Sequence, residues 1–264
     1  GRGRGANQPL CGEMANHMKI SVALPGGGME TGVVCAGVLS GLCKIGATLE
    51  RVSATSFSSV AAVLFSTGAG RQEILSVFET IKRSKNAKNG RLTKLFREVS
   101  EGEKAYVTTI TCADLLTQRI IIFDDTITIK TDELRSYPVE DLAKVLRGSV
   151  GLSSFVYPQK YKDMLLADSS VRIPGSAFIL RFMGCEDIIS VHVDLEEKTY
   201  IDSPLGRLGQ LARSNAGREE HVGTCFDLVV DGGKAEDAAL ATLYDLGENA
   251  VLTSAREIYE AILF

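Results

Sequence analysis

Two short segments of this 264-residue chain have the residue types and spacing for acyl-transfer chemistry: Leu24-Pro25-Gly26-Gly27-Gly28 and, thirty residues on, Ala54-Thr55-Ser56-Phe57-Ser58. A glycine triplet leaving a strand lets several backbone N–H groups converge on one developing negative charge. A serine at a sharp strand-to-helix corner lifts its hydroxyl into the same space. Each segment also has a plainer reading. Ser56 could simply cap a helix, and the triplet could cradle a phosphate or form a ligand-free tight turn. The order Gly26-Gly27-Gly28-Met29-Glu30-Thr31-Gly32 is not G-x-G-x-x-G. Glu30 would repel a phosphate and no Lys-Ser/Thr follows, which disfavours a nucleotide loop.

These residues need elements to hold them. Lys19–Leu24 reads as a strand ending at the glycine loop, Gly32–Ile45 as a small-residue helix packed deep, and Leu49–Ala54 as a strand entering the serine corner. Phe57–Ser66 reads as the helix leaving it, with further helices at Glu73–Ile81 and Leu92–Val99. Tyr106–Thr111 and Arg119–Phe123 read as paired strands, with Thr126–Lys130 as a third. Pro138 suits the first turn of a helix, with Glu140 and Asp141 at its positive end. Ile188–Val193 and Asp227–Val230 are strand-like, and Ala235–Leu246 and Ala255–Leu263 close the chain as helices. Such β–α alternation with very apolar strands predicts an α/β fold with a central, mainly parallel sheet covered on both faces.

With 45% apolar residues and no Ser/Pro/Gly-rich linker, residues 18–264 are expected to form a single domain. Residues 1–17 have the composition of a flexible leader or an expression remnant. A net charge of −4 argues against nucleic acid as a partner. The six cysteines form no CxxC pair, which fits a reducing, cytoplasmic compartment better than a disulfide framework. No stretch is long and apolar enough to span a bilayer. No metal or calcium loop is evident, since an oxygen-ligand pattern such as D-x-D-x-D is missing.

Together the segments resemble the patatin-like lipid acyl hydrolases from about Lys19 to the C-terminus. Leu24–Gly28 followed by Gly32…Ala36-Gly37-Val38-Leu39 is similar to the family's glycine loop and first helix. Ala54–Ser58 running into Val60–Gly68 is similar to its nucleophile elbow, Tyr106–Phe123 to its paired strands, and Ser149–Pro158 to the approach to its catalytic aspartate. Met164–Pro174, containing Asp168-Ser169-Ser170, matches the region where the family carries Asp-Gly-Gly or Asp-Gly-Ala. The resemblance implies a three-layer α/β/α fold, no cofactor, and a Ser56/Asp168 dyad in which the carboxylate takes the serine proton directly. Gly26, Gly27 and Gly28 would form the oxyanion hole. A phospholipid or other acyl lipid would be the substrate, with peripheral membrane contact. An activating protein partner or a second copy is compatible with the same resemblance.

The chain departs from the family at Ala54 and Ser58 (glycines at the elbow), at Ser169 and Ser170, at Glu30, and by one extra residue before Gly32. These departures sustain an alternative: a catalytically silent protein of the same fold that binds lipid or protein. Asp231-Gly232-Gly233 spells the family's tripeptide literally but lacks its neighbours, so it reads as turn chemistry. No histidine completes a triad: His17 lies in the leader, His192 within a strand and His221 after a charged loop.

Between Lys82 and Arg97, seven basic residues occur with no acidic one. Leu92, Leu95, Phe96 and Val99 form an apolar stripe there. The segment reads either as a solvated helix packing that stripe on the core or as a lipid-docking patch centred on Lys88, Arg91 and Lys94.

Overall fold

The computed structural model describes residues 18–84, 90–152, 156–173, 176–196, 225–234 and 238–263. The elements in chain order begin with β1 (Lys19–Ala23), α1 (Met29–Lys44), β2 (Thr48–Thr55), α2 (Phe57–Ser66), α3 (Arg71–Arg83) and α4 (Gly90–Val99). Next come β3 (Val107–Asp114), β4 (Ile120–Phe123), β5 (Leu134–Tyr137), α5 (Leu142–Ser149), β6 (Gln159–Tyr161) and β7 (Met164–Asp168). A single 3-10 turn (Ser169–Val171) leads to α6 (Ala177–Phe182), β8 (Ile188–Glu196), β9 (Phe226–Lys234), α7 (Leu240–Thr253) and α8 (Ala255–Leu263).

The strands form one sheet in the order β5-β4-β3-β2-β1-β8-β9, with β7 on β3 and β6 on β7. The pairs β1/β2, β1/β8, β2/β3, β4/β5 and β8/β9 are parallel, whereas β3/β4, β3/β7 and β6/β7 are antiparallel. Strand side chains alternate between one large apolar cluster and two smaller ones. Ile20, Val22, Val52, Ala54, Ile110, Cys112, Ile121 and Phe123 face the large core with α1 to α5, α7 and α8. Ala23 and Ile188 face Ala177 and Leu180 of α6, and Ile120 and Ile122 meet Ile179 on the same side. The α/β architecture, a mostly parallel sheet with helices on both faces, is as expected.

α1 and α2 are buried almost all round, as helices without a polar face must be. α1 crosses α7 so closely that a Cβ on Gly37 would run into the Tyr244 carbonyl, and one on Gly247 into the Val34 carbonyl. Most expected elements recur with ends shifted by a few residues. The helix expected over Ala235–Leu246 runs instead over Leu240–Thr253, residues 235–237 lying outside the described ones. Two more differ. Thr126–Lys130 contributes only an isolated bridge from Lys130 to Arg135, and the strand beside β4 is instead Leu134–Tyr137. Asp124 explains this: its carboxylate accepts from the Thr126 amide (2.8 Å) and hydroxyl (2.6 Å), curling the chain into a turn after β4. The helix expected at Pro138 begins at Leu142, where Asp141 caps it by accepting from the Lys144 amide. No helix among the described residues is long and apolar enough to cross a membrane.

Candidate active site

β3 is the template on which the site is assembled. It pairs with β2 through Thr55↔Thr111 and with β7 through Cys112↔Asp168. β4 occupies the other edge along Ile110–Ala113, so β2 and β7 follow one another along a single edge of β3. β2 leaves that edge at the Ser56 corner and β7 arrives at Asp168, one register step further. Two residues 112 positions apart in sequence are thereby brought to adjoining positions along one edge of β3.

Ser56 carries φ 56° and ψ −142°, a region that L-residues adopt at a cost of about 1–3 kcal/mol. Its side chain makes no capping hydrogen bond to α2, so it is not a simple helix cap. The corner is held from several sides. The Ser56 amide donates to Ser149 Oγ (2.9 Å), and Ser149 Oγ donates to the Thr111 carbonyl (3.1 Å). Ser59 Oγ donates to the Ser56 carbonyl at 2.6 Å. Ser169 Oγ shares hydrogen bonds with Thr55 Oγ1 (2.6 Å) and Thr111 Oγ1 (2.9 Å), joining the elbow to the turn after Asp168. The Asp168 amide donates to the Gly151 carbonyl, and its Oδ1 accepts from the Ser170 amide, both at 2.9 Å.

Three of the departures from glycine are accommodated by their surroundings. Ala54 is fully buried in the core. Ser58 Oγ donates to the Pro25 carbonyl at 2.6 Å, tying the glycine loop to α2. Ser169 links elbow and base as above. Sequence reading noted Ser169 as a departure and Ser149 only as part of a matching segment. Nothing in their spacing reveals these roles, which arise from β3.

The loop faces Ser56 with an acceptor. Ser56 Oγ donates to the Gly27 carbonyl at 2.8 Å. No peptide bond among the described residues is cis, so the Gly28 N–H of the same peptide points the opposite way. Gly26 and Gly27 are half-buried, whereas Ser56 and Asp168 are fully buried. The Cys112 thiol across from Asp168 is pushed well up, first by burial and then by the Asp168 carboxylate, against a lowering contribution from Ser149.

No protein-family signature and no curated protein matches the chain. Its structure is similar to the crystal structure of VipD from Legionella pneumophila, with a TM-score of 0.54 and 10% identity, covering 91% of this chain and 67% of that one. The chain shares that fold. At this identity the likeness speaks for the fold alone, and it supports the α/β arrangement expected from the sequence.

The remaining candidates fall elsewhere. Asp231 lies within β9, exposed, with Oδ1 accepting from the Gly233 amide (3.1 Å), three strands over from β2. His192 Nε2 lies 3.3 Å from Asp227 Oδ1 on the neighbouring strand. His17 and His221 lie outside the described residues. In α4, Leu92, Phe96 and Val99 are buried in the core, so these side chains are not a lipid-inserting stripe. Their 3.6-residue period reports packing instead. Arg91, Lys94 and Arg97 are exposed, while Lys88 lies outside the described residues. Among the described residues no group of His, Cys, Asp and Glu could hold a metal ion.

Proposed function

We propose that this protein is a serine lipid acyl hydrolase of the patatin-like type, with Ser56 as nucleophile, Asp168 as base and the Gly26–Gly28 loop as oxyanion hole. The observation that carries the reading is the strained, fully buried Ser56 corner set beside Asp168 on one edge of β3. Strain of this kind persists only where surrounding bonds over-determine it, and it clusters at reactive corners. Ser56 Oγ attacks the ester carbonyl carbon and its proton passes to Asp168. The alcohol then leaves with that proton, and water releases the acyl group by the reverse exchange. A carboxylate is a weak base for a hydroxyl, so the barrier is lowered chiefly at the oxyanion.

In the arrangement seen, the Ser56 hydroxyl donates its hydrogen bond to the Gly27 carbonyl. Turning the Gly27–Gly28 peptide over exchanges that acceptor for the Gly28 N–H and frees the proton for Asp168. Substrate entry and this reorientation are one step in the proposal, which accounts for the burial of both dyad residues. Exposed Arg91, Lys94 and Arg97 hold the protein on an anionic lipid surface by charge alone.

Fatty-acid release from phospholipid in mixed micelles tests the reading. Ser56→Ala is expected to abolish release, and Asp168→Asn to lower it about 10²–10⁴-fold. Full activity in Asp168→Asn would remove the assigned base. The same acceptor contact at Gly27 favours a second reading, a silent scaffold whose loop stays shut. Folded wild-type protein that sediments with vesicles yet releases no fatty acid under any detergent condition would support it.

A further inference from the structure

Ser170 stands where the resemblance leads one to expect a glycine or alanine, and its surroundings are unusual. It is 3% exposed, and its Oγ has no hydrogen-bond partner among the described residues. A buried donor without a partner is disfavoured in folding, so its presence calls for another explanation. Two contacts fix where it sits. Its amide donates to Asp168 Oδ1 at 2.9 Å. On its other side a Cβ on Gly26 would lie 2.7 Å from Ser170 Cβ and 3.2 Å from Ser170 Oγ. Ser170 thus touches the base through its amide, and its side chain packs on the first residue of the glycine loop.

We infer that Ser170 is a further catalytic residue, whose hydroxyl donates a hydrogen bond to the oxyanion formed when Ser56 attacks an ester. This rests on the hydrolase reading above. As the Ser56 oxygen bonds to the carbonyl carbon, the Ser56 proton moves to Asp168 and the carbonyl π pair becomes the oxyanion. That oxygen must settle against the glycine loop, where the peptide nearest Ser56 now presents the Gly27 carbonyl. A side-chain donor standing on Gly26 serves the charge whichever way the Gly27–Gly28 peptide is turned. It is satisfied only when substrate is present, which explains an orphan hydroxyl inside a closed site.

The test is the rate of phosphonylation by a fluorophosphonate, in which a serine P–O bond forms and fluoride leaves, read by intact-protein mass, for wild type, Ser170→Ala, Ser170→Gly and Ser56→Ala, with thermal melting alongside. Loss of one donor to the phosphoryl oxygen is expected to slow phosphonylation about a hundredfold in both Ser170 variants. Micellar hydrolysis should show the loss in kcat with KM nearly unchanged. The Ser170→Ala melting temperature is expected to equal or exceed that of wild type, because an unpartnered polar atom has been removed. Ser170→Ala phosphonylated as fast as wild type overturns the role of Ser170 and leaves the dyad standing. Folded wild type that is never phosphonylated overturns the hydrolase reading and this inference with it.

Discussion

Ser56 combines a backbone conformation that side chains avoid with a hydroxyl pointed at a carbonyl, and each half has a consequence. The corner survives because Ser149, Ser59 and Ser169 bind the groups around it. The hydroxyl is held by the hydrogen bond it donates to the Gly27 carbonyl. Gly26 is a tight loop position that joins the loop to both the elbow and the turn after Asp168. A Cβ there would meet Ser170 Cβ at 2.7 Å and Thr55 Cγ2 at 3.0 Å. Gly26→Ala is therefore expected to displace the loop and lower ester turnover about a hundredfold, measured as kcat on a soluble ester; unchanged turnover would show that the loop does not hold the oxyanion. Ser56 and the glycine loop were legible in the sequence because both signals are local. Ser149 and Ser169 were not, since their partners are supplied by Thr111 and Thr55 on other strands.

At the scale of elements, the long apolar helices and parallel strands were legible because their burial is nearly complete and their composition shows it. The ends of α5 and the strand beside β4 were not. Asp124 and Asp141 decide them through side-chain bonds to nearby amides, which compete with the regular pattern. The α1–α7 crossing depends on Gly37 and Gly247 meeting opposing carbonyls. Gly37→Ala must push the helices apart, and a destabilisation at or above the upper end of ~1–3 kcal/mol is expected from urea unfolding. A loss below half a kcal/mol would contradict so close a crossing. The basic segment also belongs to this scale. With Leu92, Phe96 and Val99 buried, the lipid docking proposed for this segment rests on its charge. Co-sedimentation with anionic vesicles is expected to fall with added salt and to be lost in the triple variant Lys88→Glu, Arg91→Glu, Lys94→Glu. Binding that is insensitive to both would contradict the docking proposal.

Across the whole molecule, stability should depend on acid through carboxylates that tie distant segments together. Glu248 on α7 accepts from Ser40 (2.6 Å) and Lys44 (2.5 Å) on α1. Burial alone would raise its pKa, but these bonds together hold it below its ordinary 4.5. Asp114 behaves likewise: burial raises it, and bonds from Thr117, Leu165 and Leu116 bring it below 3.8. A carboxylate depressed in the folded state stabilises fully above its unfolded pKa, and that contribution disappears as pH falls through the folded value. Unfolding free energy is therefore expected to drop below about pH 4.5, and Glu248→Gln to make that drop shallower. An identical acid limb in the variant would rule Glu248 out as a contributor.

The central claim is that Ser56 is an activated nucleophile, and intact-protein mass spectrometry after fluorophosphonate treatment addresses it directly. Wild type and Ser56→Ala would be compared with detergent present to open the buried site. The account predicts a single adduct on wild type and none on Ser56→Ala. Well-folded wild type without an adduct, or equal labelling of both proteins, would contradict it.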